Sequence, residues 1–472
     1  MRRTACTLTT IAVFAALVAA AAVPARGADP APGTAAWARR EWQAFVDGFG
    51  RTREQSADPA YGPSVRAEVA RLQSFWRGED ATEFEGRPRI TLTRLLTVPN
   101  VGDPWRNETS WTGTHRRLYF LNGWGAKLTA DLWGPADLFD SDTKRPAVVI
   151  TDGSIQGNSR MYWWAAQTLA AAGYVVMSYD VQGQGESETF GHHPDGSIWC
   201  GPVDQPPDTA PLLRELGPCP GFPFQQPSVF MGGAVWAQNF FLSTPDAPWE
   251  HYQDGTGTAA YNPWWDRVDA DRVGAAGHSF GASAVSFAQG NPELLRKPIR
   301  AIVAWDRISV CQASVRPGDA CPADALVPVN APALDIEAED VLFPTIRPRA
   351  PDPESKLAGL RHWRDAGVDV MSLTLRASTH LEFTAVPLLP ASKQGEDVAR
   401  YYTLAWFDRY LRDDATATDR LLTRELHVDH YTPTGAVLPL VLAPADYLAF
   451  RYHSGVSTPQ RCSLDWVADT AC

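Results

Sequence analysis

The sequence predicts an α/β fold in which a mostly parallel central sheet is covered by helices on both faces. Short apolar runs alternate with stretches of helical spacing from residue 146 to residue 411. This alternation is typical of parallel strands that are joined by crossover helices. Several runs are continuously apolar, as expected for strands that are buried on both faces of a sheet.

The chain begins with a segment typical of a secretory signal peptide. Two arginines follow Met1, an apolar run covers residues 11–23, and small residues lead to Gly27. We therefore expect residues 1–27 to be a signal peptide and the protein to be secreted. No later segment approaches an uninterrupted run of about 20 apolar residues, so we expect no stable membrane span in the remainder.

Residues 28–104 are predicted to form an N-terminal helical extension. Apolar residues recur there at helical spacing in two stretches, which hold Trp37, Trp42, Phe45 and Val46 and then Val65, Val69, Leu72 and Phe75. This spacing predicts two helices that pack on the main body through their apolar faces.

The main domain is predicted to span residues 105–424 and to begin with an antiparallel hairpin at the edge of the sheet. The hairpin has strands near 118–120 and 126–133 and a turn at Asn122-Gly123. Buried strands are predicted at 146–150, 174–180, 272–276, 299–305, 331–336 and 368–375, and helices at 163–172, 282–289 and 395–411. Residues 425–472 are predicted to be a C-terminal extension.

An insertion rich in proline and aromatic residues, at about 190–266, separates two of the predicted strands. Aromatic side chains bury large areas wherever they lie. Two interpretations stay open: a lid whose aromatic face lines a substrate pocket, or an excursion pinned by a disulfide, with its own small core.

Charge and cysteine content limit the kinds of partner and site. The formal net charge of −12 disfavours nucleic acid as a partner, because phosphate binding needs a basic surface. The cysteines beyond the signal segment are even in number, which argues for disulfides in an exported chain. They form three couples close in sequence, and local closure favours Cys200 with Cys219, Cys311 with Cys321, and Cys462 with Cys472. No couple has the spacing that structural zinc prefers.

The most informative motif is the pentapeptide from Gly277 to Gly281, which places Ser279 between a predicted strand and a predicted helix. A glycine two residues before and two after the serine allows the sharp turn of a nucleophile elbow. The serine hydroxyl then stands at a helix N-terminus, where free N–H groups favour negative charge. The motif therefore predicts a nucleophile at Ser279.

A serine alcohol needs a base to take its proton, and the base needs an acid to orient it. His380 follows the predicted strand 368–375, and Asp340 follows the strand 331–336. Carboxyl ends of parallel strands meet at one edge of a sheet, so Ser279, Asp340 and His380 are predicted to form a triad. Glu337, Glu339 and Asp306 remain alternatives to Asp340 as the acid.

The chain resembles members of the α/β-hydrolase superfamily, nearest to secreted esterases and dienelactone-hydrolase-like proteins, over roughly residues 118–411. The resemblance implies that Ser279 is the nucleophile, His380 the general base and Asp340 its orienting acid. It also implies that the backbone N–H groups of Phe280 and Ser154 stabilise the oxyanion.

The expected function is hydrolysis of carboxylic esters, small-molecule or lipid-like, through an acyl-enzyme, with no metal or organic cofactor. Activity should fall at acid pH because His380 must be neutral to act as a base. His278, next to the serine, is expected to have a structural role. A serine peptidase or amidase and a catalytically silent extracellular binding module remain alternatives.

Overall fold

A ten-stranded, mostly parallel sheet forms the centre of the structure, a computed structural model. The α/β class that the sequence predicts is confirmed. The structure describes residues 30–83, 101–106, 111–154, 157–188, 191–192, 198–199, 227–312, 321–347, 356–423, 425–431, 437–442, 448–454 and 463–464. The predicted signal peptide lies outside these ranges.

Eight of the described strands lie close to the positions that the apolar runs predict, whereas the two short strands in the insertion and the four strands after residue 425 were not predicted. In chain order they are β1 (Thr114–Leu121), β2 (Lys127–Gly134), β3 (Arg145–Thr151), β4 (Val175–Tyr179), β5 (Gly191–His192), β6 (Ile198–Trp199), β7 (Val268–His278), β8 (Ala301–Trp305), β9 (Ala333–Ala338), β10 (Val370–Leu375), β11 (Leu426–Tyr431), β12 (Val437–Leu442), β13 (Leu448–Ser454) and β14 (Ser463–Leu464). The main sheet has the order β1-β2-β4-β3-β7-β8-β9-β10-β13-β14.

Pairing in the centre of the sheet is parallel, from β4 through β3, β7, β8 and β9 to β10. At one edge β1 and β2 form the predicted antiparallel hairpin, and β2 is also antiparallel to β4. Asn122 shapes the hairpin turn, because its side-chain oxygen accepts from the N–H groups of Trp124 and Ala126, both at 2.9 Å.

Helices cover both faces of the sheet. In chain order they are α1 (Ala35–Asp47), α2 (Gly50–Ala57), α3 (Tyr61–Glu83), α4 (Trp163–Ala171), α5 (Pro227–Phe241), α6 (Phe280–Gly290), α7 (Ala358–Asp365), α8 (Gly395–Leu411) and α9 (Ala417–Leu422). Strand β3 shows why both faces need cover: Val148 and Ile150 pack with α4 and α8, and Ala147 and Val149 pack with α5 and α6. Successive side chains of a strand point to opposite faces, so a continuous apolar run requires two helical layers.

The described part of the N-terminal extension contains three helices where the sequence predicts two. The predicted apolar stretches correspond to α1 and α3, and α2 was missed. The sequence of α2 holds no large apolar residue, and its buried positions are Gly50, Arg51 and Gln55. Polar contacts attach it instead: the Thr52 hydroxyl donates to the carbonyl of Leu389 at 2.6 Å, and the Leu388 N–H donates to Gln55 at 2.8 Å. Hydrophobic spacing cannot detect such a helix.

Residues 227–266, the longest described part of the aromatic insertion, pack into the main core. The rings of Phe240 and Phe120 stack with centroids 4.5 Å apart, and those of Trp236 and Trp124 meet edge to face at 4.7 Å. The indole N–H of Trp249 donates to the carbonyl of Leu121 at 2.6 Å. In this part of the chain the aromatics therefore cover the hairpin side of the sheet, an arrangement that neither interpretation of the insertion foresaw.

The C-terminal region contributes to the main sheet. Strand β13 pairs antiparallel with β10, and β14 pairs with β13, while β11 and β12 form a separate hairpin. Within the described ranges, no helix combines the length and the apolar character that crossing a bilayer requires.

Cys311 and Cys321 form a disulfide with their Cα atoms 5.8 Å apart. This pairing confirms one of the three predicted couples. It closes a short loop that follows β8. The four cysteines of the other two couples lie outside the described residues.

Replacing both Cys311 and Cys321 with alanine should lower the free energy of unfolding by about 2–3 kcal/mol. Their sequence separation is 10. Closing a loop of this size reduces the entropy of the unfolded chain and so raises its free energy by about 2–3 kcal/mol. Equilibrium unfolding in urea, followed by tryptophan fluorescence, measures the change. The single variant Cys311→Ala also lacks the disulfide, so its difference from the double variant measures the effect of the second side chain alone. An unchanged urea midpoint in the double variant would contradict the expectation.

Candidate active site

A cavity of about 390 Å³ opens where strands β7, β8, β9 and β10 end. Its lining includes Ser279, Phe280, Asp306, Glu337, Asp340 and His380. The residues that the sequence singles out therefore meet at one edge of the sheet, where the carboxyl ends of parallel strands converge.

Ser279 occupies the sharp turn between β7 and α6. Its backbone has φ 56° and ψ −119°, a region that a residue with a side chain rarely adopts. The turn is held by a hydrogen bond from the Ser279 N–H to the carbonyl of Trp305 at 3.1 Å. Strain of this kind is characteristic of functional positions that the surrounding structure enforces.

The glycines on each side of Ser279 are required by close backbone approach. A Cβ atom on Gly277 would lie 2.2 Å from the carbonyl oxygen of Gly281. One on Gly281 would lie 2.4 Å from the carbonyl oxygens of both Thr151 and Asp152. Only glycine fits at either position, so the strand, turn and helix expected for the pentapeptide are present in the structure.

His380 binds Asp306 through its Nδ1 atom, which contacts Oδ2 of the carboxylate. The backbone holds Asp306 firmly: its N–H donates to the carbonyl of Ile336 at 2.6 Å, and its Oδ1 accepts from the N–H of Ala338 at 2.9 Å. Asp306 also has φ 61°, and Arg307 after it has φ 100°. Two successive residues at positive φ bend the chain sharply as it leaves β8 and place the carboxylate in the cavity wall.

The environment keeps Asp306 ionised. Burial by itself would raise the pKa of Asp306, but the hydrogen bond and the charge of His380 lower it to about 2. The carboxylate is therefore negative throughout the neutral range. It can fix the tautomer of the imidazole and stabilise a positive charge on it.

Asp340 does not contact His380, so its predicted place as the partner of the histidine is wrong. Its carboxylate accepts from the N–H and the hydroxyl of Thr345 at 3.1 and 2.8 Å and pairs with Arg347. The chain after β9 turns Asp340 toward this loop and away from the imidazole. Asp306, which was among the alternatives, takes the position instead. Its signal in the sequence is its place directly after the strand Ala301–Trp305.

The other two alternatives are engaged elsewhere. Glu339 accepts from the N–H of Ala377 at 2.6 Å and pairs with Arg347 at 3.0 Å. Glu337 lies 3.1 Å from Lys356, yet burial and the neighbouring charge of Asp335 raise its pKa well above the usual range. Neither carboxylate is therefore placed to orient His380.

The two predicted oxyanion donors differ in position. Phe280 is the first residue of α6 and lines the cavity, and a first-turn N–H has no acceptor within its own helix. Ser154, in the loop after β3, is not among the described residues that line the cavity. The N–H of Gly153 just before it is already bound to the Tyr162 hydroxyl at 3.0 Å. The geometry thus favours Phe280 over Ser154.

His278 links the loops around the cavity through its buried ring. Its Nδ1 lies 2.8 Å from the Tyr162 hydroxyl, and its Nε2 lies 2.9 Å from the carbonyl oxygen of His380. A carbonyl only accepts, so we assign the ring proton to Nε2 and let Nδ1 accept from the tyrosine. Burial, together with the nearby His380, lowers the pKa of His278 to about 3. This neutral, fully bonded ring fits the structural role expected from the sequence.

The variant His278→Gln should lose less stability than the wild type between pH 7 and pH 5. In the unfolded chain a histidine has a pKa near 6.5, whereas in the native protein the pKa of His278 is about 3. As pH falls below about 6.5, the unfolded state therefore binds a proton that the native state does not, and stability is lost, by about 2 kcal/mol at pH 5. Glutamine does not titrate and can still donate to the His380 carbonyl.

Urea unfolding of both proteins at the two pH values measures this difference. The variant His362→Gln is the matched control, because His362 also contacts a carbonyl oxygen, that of Val327 at 2.7 Å, and is not among the residues that line the cavity. Identical pH dependence in the wild type and His278→Gln would show that the native ring of His278 titrates freely.

Comparisons with known proteins leave the site to be interpreted from its own geometry. No model of a known protein family matches the chain, and no curated protein matches it either. Within the part of the chain that the structure describes, no group of three or more His, Cys, Asp or Glu side chains is placed to hold a metal ion.

Proposed function

We propose that this protein is a serine hydrolase that cleaves carboxylic esters, small-molecule or lipid-like, through an acyl-enzyme. One observation carries the proposal. A strained turn presents Ser279 at the cavity, and the hydrogen-bonded pair of His380 and Asp306 lines the same cavity. A nucleophile, a base and an orienting acid are the groups that acyl transfer needs. The predicted signal peptide makes the proposed enzyme a secreted one.

The topology supports an α/β-hydrolase fold for the proposed enzyme. Its strand order is β1-β2-β4-β3-β7-β8-β9-β10, with β2 antiparallel to β4. In this order the carboxyl ends of β7, β8 and β10 lie at the same end of the sheet. The serine follows the central strand β7, the acid follows its neighbour β8, and the histidine follows β10. This arrangement is consistent with a nucleophile elbow at the top of such a sheet.

In the proposed reaction His380 removes the proton from the Ser279 hydroxyl as its oxygen attacks the ester carbonyl. Asp306 accepts the Nδ1 proton of His380 in a hydrogen bond and stabilises the imidazolium that forms. The N–H of Phe280 and the N-terminus of α6 stabilise the negative oxygen of the tetrahedral intermediate. His380 then protonates the leaving alcohol, and the same groups activate a water molecule that releases the acid.

Ser279→Ala should abolish both labelling by a fluorophosphonate and turnover of short-chain nitrophenyl esters. The probe forms a bond to an activated serine oxygen, which alanine lacks. Ser283→Ala is the matched control, because Ser283 also lines the cavity one turn further along α6. If labelling persists in Ser279→Ala and disappears in Ser283→Ala, the nucleophile is Ser283. If the wild type is neither labelled nor active on esters, the binding-module alternative is supported.

Asp306→Asn should lower kcat for esters by about 10⁴-fold, the loss seen when the acid of a serine triad is replaced by its amide. An asparagine cannot stabilise the imidazolium and favours the wrong tautomer of His380. The isosteric control Asp340→Asn should retain kcat within about tenfold, since Asp340 pairs with Arg347 and not with His380. Measuring kcat of both variants, with near-ultraviolet circular dichroism to verify folding, decides which carboxylate is the acid. A larger loss of kcat in Asp340→Asn than in Asp306→Asn would restore Asp340 as the acid.

A further inference from the structure

The N-terminal helix α2 reaches the segment that carries His380 through one buried side chain. Arg51 donates to three backbone carbonyls there: those of Leu381 and Glu382, both at 3.3 Å, and that of Thr384 at 2.7 Å. The side chain of Arg51 is only 11% exposed. These carbonyls belong to the 3-10 turn His380–Phe383 and to the residue that follows it.

The chemistry of these contacts makes them strong. The carbonyl groups that Arg51 contacts carry partial negative charge, which a cation stabilises. The carbonyl of Leu381 also accepts from the N–H and the hydroxyl of Thr384, at 3.1 and 2.8 Å, so Arg51 is a further donor to it. A guanidinium is always charged and presents several N–H groups in a rigid plane, so it can hold several carbonyls in fixed positions. Glu396 lies 3.7 Å from Arg51 and is shared with Arg106 and Arg400.

The backbone of His380 is fixed on its other sides as well. Its N–H donates to the carbonyl of Val341 at 2.8 Å, and its own carbonyl accepts from His278 at 2.9 Å. With Arg51 on the carbonyls that follow, the backbone has anchors before, at and after His380. The ring must meet Asp306 with one nitrogen and serve Ser279 with the other, and an error of about 1 Å in such geometry can cost about 10²-fold in rate.

Helix α1 supports the same region from the side of Val341. The indole N–H of Trp37 donates to the carbonyl of Arg347 at 2.9 Å, and Glu41 accepts from the Arg347 N–H at 3.1 Å. Arg347 in turn pairs with Asp340, the residue before Val341. A Cβ atom on Gly48, just after α1, would lie 2.7 Å from the carbonyl oxygen of Ala377. The two helices therefore hold both segments that position His380.

We propose that Arg51 is a positioning residue for His380 and that helices α1 and α2 are part of the active-site scaffold. This inference rests on the proposed function, since it assigns Arg51 to the base of that reaction. Arg51 is not among the residues that line the cavity, so it acts through the backbone that carries the imidazole.

The test compares the wild type with Arg51→Met, which keeps an unbranched apolar stem and removes the donors of the side chain. We expect kcat for a nitrophenyl ester to fall by about 10²-fold, with KM changed less than about threefold, because the nucleophile and cavity stay in place while the base is displaced. The rate of fluorophosphonate labelling should fall in parallel. Arg51→Lys restores the positive charge but not the planar set of donors, and it should recover part of the lost kcat.

Thr52→Val is the matched structural control. It removes a hydrogen bond from the same helix to the carbonyl of Leu389, outside the 3-10 turn of His380. It should lower the urea midpoint as a lost buried hydrogen bond does, with kcat unchanged. An active wild type whose Arg51→Met variant loses no more kcat than Thr52→Val would overturn the inference.

A variant that does not fold and an inactive wild type lead to different conclusions. If Arg51→Met does not fold, Arg51→Lys carries the test: a kcat reduced by about tenfold at a wild-type urea midpoint supports the positioning role, and a wild-type kcat overturns it. A wild type without labelling or turnover would instead refute the proposed function itself, which keeps the two failures distinct.

Discussion

The contact between His380 and Asp306 is the interaction around which the cavity is organised. It joins the ends of β8 and β10, two strands separated in the sheet by β9. The contact forms only because the chain leaves β8 through two successive residues at positive φ, which direct the carboxylate into the cavity. The hydrogen bonds from Ala338 and to Ile336 then fix that carboxylate from the side of β9.

The surroundings of three neighbouring carboxyl groups shift their pKa values in opposite directions. Burial raises the pKa of each, but Asp306 faces His380 and its pKa is lowered to about 2. Asp335 and Glu337 are neighbours on the same face of β9. The pKa of Asp335 rises to about 6, and that of Glu337 rises well above its usual range. Like charges cannot both form at close range in a buried site. The carboxyl group beside the imidazole is thus the one whose pKa is lowered, while the pKa values of the two acids behind it are raised.

The structure uses two kinds of contact for two tasks. Apolar packing on both faces of the sheet, seen at β3 with α4 and α8 on one side and α5 and α6 on the other, sets the positions of the strands. Hydrogen bonds to backbone groups set the loops at the strand ends: Arg51 and His278 donate to carbonyls, and the Asp306 carboxylate accepts from the N–H of Ala338. Apolar contacts are not directional and tolerate small shifts, whereas hydrogen bonds fix distance and angle. The second kind is therefore suited to the edge where chemistry is proposed.

The sequence alone predicted the α/β class, the hairpin, the strands from β3 to β10 except the short β5 and β6, and the turn at Ser279, because each depends on local spacing or on glycine at a crowded turn. It also placed His380 at the end of a strand. The tertiary structure alone decided that Asp306 and not Asp340 meets His380, because both follow strands and only the direction of the chain after each strand separates them. It also decided the existence of α2 and the burial of the insertion aromatics, since polar contacts leave no periodic signal and an aromatic residue packs equally well in a lid or in a core.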